Sequence, residues 1–220
     1  MLFIHEDTKQ SEFELKESYK ERNLYFKIFC GYLFNELIDG YIERIDSFFT
    51  LLKNTISENS EERFYSNSNK SNCIDTLKKI QENRFFVSFD YHLDQIKKNS
   101  DRGEMSDVVL WSIDNFISIE IKYLTNWTYK KDIVSVQKRM LEACKYLEQK
   151  DPIQVLLIDS KKWNNSIKKK KQHGNQLIEL IKNRNKLEFP LIIITWQDIV
   201  NIVKEEKIKK YINSQLKRSY

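Results

Sequence analysis

Residues 107 to 122 read Asp-Val-Val-Leu-Trp-Ser-Ile-Asp-Asn-Phe-Ile-Ser-Ile-Glu-Ile-Lys, a β-branched and aromatic stretch whose strand-like parts carry Asp107, Glu120 and Lys122. Two carboxylates without a neighbouring His or Cys make a hard-oxygen set, which suits Mg²⁺ or Mn²⁺ and not Zn²⁺. A lysine beside them can hold a phosphate or orient an attacking water, while the ion acidifies water and neutralises charge developing on phosphorus. These are the components for hydrolysing a phosphodiester.

The spacing predicts a hairpin that brings the three together. A two-residue Asp114-Asn115 turn pairs Ile113 with Phe116, Trp111 with Ser118, Val109 with Glu120 and Asp107 with Lys122. Side chains alternate along strands, so the three charges fall on one face, and Ile117, Ile119, Ile121 and Tyr123 form an apolar row on the other. Glu-x-Lys also occurs at Glu14, Glu148 and Glu205, in charged helix-period stretches where it reads as a solvated face. Only the copy at Glu120 lies in a strand-like run behind an Asp-bearing strand. The plainer alternative is an exposed hairpin with a cross-strand Asp107–Lys122 pair, a stabiliser of roughly 0.2–1 kcal/mol.

This arrangement resembles the PD-(D/E)xK superfamily, the restriction-endonuclease-like nucleases, whose pattern is Asp, a gap, then Glu-x-Lys on the next strand. Ser106 stands where the family name has proline. The resemblance spans about Phe85 to Trp196 and implies a mixed sheet flanked by helices. It implies Asp107 and Glu120 as metal ligands, with the Ile121 carbonyl joining them, and Lys122 acting on the nucleophile or transition state. It also suggests Gln137, in the following helix, as a polar residue reaching the phosphate or water, and Glu36 as an upstream acidic ligand. Gln137 is equally well a solvent-facing side chain, and most glutamates placed like Glu36 are merely surface residues. Many such enzymes act as dimers, so a homodimer is expected.

The elements that must position these residues are visible in outline. Apolar and aromatic residues recur from Leu24 to Leu52 at helical spacing and predict a helical region to about Asn54, wide enough to cover the sheet or form a dimer interface. Ser57 to Asn72 reads as a loop or weak helix, followed by a short helix from Ile74 to about Asn83. Residues 1–83 are therefore an N-terminal helical region and 84–220 the core. There, Phe85–Leu93 alternates as a strand, Asp132 can cap a helix to about Gln149, and Ile153–Asp159 and Leu191–Trp196 are apolar runs typical of buried strands. A basic connection and a helix near Gln176–Asn185 separate those two, and a last helix begins near Gln197. The predicted class is α/β: a mixed central sheet flanked by helices, behind an N-terminal helical region.

Charge is unevenly placed. Of 37 Lys and Arg and 32 Asp and Glu, residues 1–83 hold 11 and 15 and residues 84–220 hold 26 and 17, giving −4 and +9. The basic half is the one with the candidate site, as nucleic-acid binding requires. Lys130, Lys131, Lys161, Lys162 and the run Lys168-Lys169-Lys170-Lys171 are candidate phosphate contacts, with Trp127, Tyr129 and Trp163 interleaved. A solvated loop competes for the lysine run. Cys30, Cys73 and Cys144 lack paired spacing, which argues against a disulfide framework or zinc site and for a reducing cytoplasm. His5, His92 and His173 are too scattered for a histidine-rich site, His92 being the nearest to Asp107 in sequence. No apolar run reaches membrane-spanning length, and the amino terminus turns acidic at once, unlike a secretory signal. The expected partner is nucleic acid, DNA before RNA. A binding or assembly subunit with the same fold and no chemistry is the alternative.

Overall fold

The layering follows from alternation along a few strands. The computed structural model describes residues 23–58, 62–83, 85–91, 106–123, 126–147, 151–169 and 175–217. In chain order the elements are α1 (Phe26–Leu33, wound as a π-helix), α2 (Tyr41–Ser57), β1 (Phe64–Tyr65), α3 (Lys70–Glu82), β2 (Phe86–Tyr91), β3 (Ser106–Trp111) and β4 (Phe116–Lys122). Then follow α4 (a π-turn Tyr129–Ser135 continuing as Val136–Leu147), β5 (Ile153–Ile158), α5 (Ser160–Lys168), α6 (Gln176–Asn183), β6 (Leu191–Thr195), α7 (Trp196–Ile202) and α8 (Glu206–Lys217).

Six strands form one mixed sheet in the order β1-β6-β5-β4-β3-β2. Strands β4, β5 and β6 are parallel, while β3 and β2 on one side and β1 on the other run antiparallel to their neighbours. The parallel centre is buried on both faces, as the apolar runs predicted. On one face Ile117, Ile119, Ile121 and Tyr123 join Val155, Leu157, Ile192 and Ile194 in a cluster with Phe48, Phe49 and Leu52 of α2, Leu77 of α3, and Trp196, Ile199 and Ile212 of α7 and α8. On the other face Leu156, Ile158, Leu191 and Ile193 pack with Tyr129 and Ile133 of α4, Trp163 of α5 and Leu177 and Leu180 of α6. Val136, Met140 and Ala143 of α4 cover Val109 and Phe116. The result is a mixed sheet between helical layers, with an N-terminal helical region, the predicted class. Residues on both sides of position 83 share the first cluster. No described helix is long and apolar enough to cross a membrane.

Four local readings differ. The N-terminal helical stripe is interrupted at residues 34–40, where Gly40 takes a φ of 76°. There the buried Arg44 guanidinium donates to the carbonyls of Tyr32 (2.9 Å), Asn35 (2.8 Å), Ile38 (2.9 Å) and Asp39. The polar stretch after Ser57 contains β1, which pairs Phe64 and Tyr65 with Ile192 and Leu191. The basic connection after β5 opens as a helix, because the Asp159 carboxylate caps it by accepting the N–H groups of Lys161 (2.8 Å) and Lys162 (3.1 Å). The last helix is two, α7 ending before Val203 and α8 beginning at Glu206.

Candidate functional site

The hairpin exists, in a different register. Trp111 lies opposite Phe116, Val109 opposite Ser118 and Val108 opposite Ile119, so Glu120 does not face Val109 and Ser118 does not face Trp111. The turn centres on Ile113-Asp114, because Ser112 and Asn115 close it. The Ser112 N–H and hydroxyl donate to the Asn115 carbonyl at 2.8 and 2.9 Å, and the Asn115 N–H donates back to Ser112 Oγ at 3.2 Å. A shift of two partners preserves which face each residue of β4 occupies, so Ser118, Glu120 and Lys122 remain together opposite the apolar row. Near the open end, Ser106 Oγ lies 3.0 Å from Ser118 Oγ, so strict alternation does not extend back to Ser106. The Asp107 carboxylate accepts the Ile121 N–H at 2.6 Å. This ties the first acidic residue to the middle residue of the Glu-Ile-Lys tripeptide.

Lys122 is the hub. Its ammonium lies 2.9 Å from Glu120 Oε1 and 3.1 Å from Asp132 Oδ1, with side-chain exposures of 19%, 9% and 9% in that order. Asp132 belongs to the opening turn of α4. Its other oxygen accepts the Thr128 N–H and hydroxyl, while Thr128 Oγ1 accepts the Lys131 N–H at 3.3 Å, a reciprocal cap that fixes this turn above the sheet. Thr128 is thus the capping residue, and Asp132 is its return partner. Burial alone would depress the Lys122 ammonium, but the charges of Glu120, Asp107 and Asp132 and the hydrogen bond to Glu120 outweigh it and push its pKa up. Glu120 is also pushed up, first by burial and then by Asp132, against the opposing pull of Lys122 and Arg139. Glu120 Oε2 is buried and finds no hydrogen-bond donor among the described residues.

The remaining candidates divide. Ile121 packs its side chain into the opposite core. Gln137 is buried away from solvent and committed elsewhere. Its NH₂ donates to the Phe189 carbonyl at 2.9 Å and its Oε1 accepts the Glu188 and Phe189 N–H groups at 2.8 and 3.4 Å, so it fastens the segment before β6. Glu36 is exposed beside Tyr41, in the helical layer on the other face of the sheet, and does not join this site.

Lys130 and Lys131 are exposed in the same turn as Asp132, and Lys161 and Lys162 open α5. The Asp159 N–H donates to the Lys122 carbonyl at 3.1 Å, so α5 starts at the end of the sheet where Lys122 lies. Lys168 and Lys169 are exposed at the far end of α5, about 12 Å along its axis. Lys170, Lys171 and all three histidines lie outside the described residues. Trp127, Tyr129 and Trp163 are core residues, not a stacking platform: each is buried, and the two tryptophan rings contact one another at 6.1 Å.

Asp132, 3.1 Å from Lys122, and Gln154, whose NH₂ donates to the Asp132 carbonyl at 2.7 Å, adjoin these residues and were not assigned by sequence reasoning. Asp132 was legible only as a helix cap. Gln154 carried a signal, as the one polar side chain inside the buried run Ile153–Ile158.

Comparison of the chain with protein-family models, with curated proteins and with solved structures finds no match. Among the described residues no group of three or more His, Cys, Asp or Glu side chains is gathered as a metal cage. Mg²⁺ commonly takes only one or two protein carboxylates and keeps several waters. The two carboxylates Asp107 and Glu120, the latter with a buried oxygen that lacks a donor among the described residues, are a donor set of that kind.

Proposed function

We propose that this chain is a Mg²⁺-dependent nuclease of the PD-(D/E)xK kind, hydrolysing phosphodiester bonds in DNA, with Mn²⁺ able to substitute. One observation carries the reading: Glu120 presents a buried oxygen without a donor among the described residues, while its other oxygen lies 2.9 Å from Lys122, one strand from an Asp107 anchored on Ile121. Asp107, Glu120 and the Ile121 carbonyl would hold the ion. Bound there, the ion supplies Lewis-acid charge to the phosphate and acidity to water.

The acidic neighbours of Lys122 favour its protonated form in the ion-free site. Lys122 acts as a fixed cation and hydrogen-bond donor to a phosphate oxygen or the attacking water. Asp132 gives that ammonium a second carboxylate at 3.1 Å, so its place does not depend on Glu120 alone. Lys130, Lys131, Lys161 and Lys162, around the same end of the sheet, supply the phosphate attraction that brings DNA to the site. The free thiols Cys30, Cys73 and Cys144 fit a reducing cytoplasm. A homodimer would place two such sites for cutting both strands.

The test is incubation of supercoiled plasmid and of a short RNA with the protein in Mg²⁺, Mn²⁺ or EDTA, alongside Asp107→Ala and Lys122→Ala. The expected result is ion-dependent DNA cleavage that EDTA stops, reduced about 10²–10³-fold in Lys122→Ala and lost in Asp107→Ala, with unchanged circular dichroism. Undiminished cleavage by both variants, or no product under any condition, overturns the proposal. Salt-sensitive binding without a product would instead mark a non-catalytic subunit, and cleavage of RNA alone would change the substrate.

A further inference from the structure

We propose that Gln154 supplies a neutral oxygen ligand, beside Glu120, to the divalent ion of this site, an inference that rests on the metal-dependent reading above. The parallel register sets Ser118 beside Gln154 and Glu120 beside Leu156. Gln154 and Glu120 therefore share one face, on adjacent strands and one step apart along that face. Every other residue of β5 is apolar, and Gln154 itself is fully buried.

Its orientation is fixed. The Gln154 NH₂ donates to the Asp132 carbonyl at 2.7 Å, and only that end of the amide can face a carbonyl. Oε1 is thereby set on the other side, where it finds no donor among the described residues, like Glu120 Oε2. The contacts Glu120–Lys122, Lys122–Asp132 and Asp132–Gln154 make a chain across β4, α4 and β5 whose two ends each leave an oxygen over. Two buried acceptors on one face call for positive charge, not for an anionic group of the substrate. Asp107, Glu120 and Asp132 outnumber the neighbouring cations Lys122 and Arg139, three against two, and an amide adds an oxygen to a cation site without adding charge.

Two measurements on the full chain decide it: thermal unfolding in EDTA against Mn²⁺ or Mg²⁺, and Mn²⁺ binding by calorimetry. Wild type is expected to bind Mn²⁺ and to be stabilised by it, with Glu120→Gln losing both. Gln154→Met should bind Mn²⁺ about tenfold or more weakly. Gln154→Glu, which buries a further carboxylate, should be less stable than wild type in EDTA and gain more from Mn²⁺. Equal Mn²⁺ affinity in wild type and Gln154→Met overturns the role of Gln154 and leaves the nuclease reading standing. An equal loss of stability with and without the ion, at unchanged affinity, has the same meaning and assigns the oxygen to a buried water. Absence of Mn²⁺ and Mg²⁺ binding by wild type removes both proposals. Should Gln154→Met not fold, Gln154→Glu decides alone, and a gain from Mn²⁺ no greater than that of wild type overturns the inference.

Discussion

Lys122 Nζ lies 3.1 Å from Asp132 Oδ1, so the lysine of the hairpin is held from above by the opening turn of the next helix as well as by its strand neighbour Glu120. A buried ammonium with a single carboxylate would follow that carboxylate wherever it turned; with two it keeps its place. Asp132→Asn removes the second charge but retains an acceptor for Thr128. The expected cost is about 1–3 kcal/mol, as for leaving a buried charged group under-satisfied, read from the urea midpoint. Under the proposed chemistry DNA cleavage falls, while Mn²⁺ affinity falls less than in Glu120→Gln, which removes a ligand. Wild-type stability and cleavage in Asp132→Asn would show that Lys122 does not depend on this contact.

The pH response of Glu120 has a definite sign. Burial, with Asp132 adding to it, raises its pKa above that in the unfolded chain despite Lys122. The folded protein therefore holds this proton more tightly than the unfolded chain does. The stability it contributes is fully present below about pH 4.3 and is lost as pH rises through the folded value. Lys122, also raised, contributes stability present below about pH 10.4 and lost only as pH climbs beyond it. Glu120→Gln cannot titrate. In EDTA, from about pH 4 to about pH 7, the variant should gain stability relative to wild type. A difference that stays flat or runs the other way would mean that Glu120 is not destabilised by its burial.

Much of this was legible because strand faces depend only on parity. The Ile117, Ile119, Ile121, Tyr123 row and the two central buried strands needed nothing more than counting, and a register error of two left the faces of β4 intact. What failed was what long-range contacts decide. The turn was settled by Ser112 and Asn115 bonding across it, not by the Asp114-Asn115 dipeptide. Two-residue β1 is too short to show a period, and its pairing with β6 is a tertiary event. Arg44, binding four carbonyls where α1 gives way to α2, marks a break that an uninterrupted apolar stripe conceals. The helix α5 did carry local signals, an Asp159 cap with Trp163 and Ile167 four residues apart, under a lysine-rich composition that suggested a loop.

The lysines around the site give a prediction about salt. Lys130 and Lys131 are exposed in the turn that carries Asp132, whereas Lys78 and Lys79 are exposed on α3, whose buried residues pack into the opposite core. Removing one phosphate-binding lysine should reduce the slope of log affinity against log salt by about 0.9 for duplex DNA. Changing Lys130 and Lys131 together to Gln should flatten that slope by about 2 and weaken binding to all sequences alike. The same change at Lys78 and Lys79 should leave it unaltered. Equal effects from the two pairs, measured by fluorescence anisotropy across a salt series, would assign binding to overall charge and not to this face.

Gln137 separates a structural role from a catalytic one. Its amide makes three hydrogen bonds to the backbone of Glu188 and Phe189, the segment that delivers β6 to the sheet centre. Gln137→Ala strands two N–H groups and a carbonyl in a partly buried place, at a cost of about 1–3 kcal/mol. Cleavage per folded molecule, assayed well below the unfolding transition, should then match wild type, as should Mn²⁺ affinity. Gln137→Glu keeps both accepted bonds and loses only the donated one, so its destabilisation should be the smaller of the two. Should Gln137→Ala stay as stable as wild type and yet lose cleavage, the amide would have to act at the phosphate, and the contacts with Glu188 and Phe189 would not be its working arrangement.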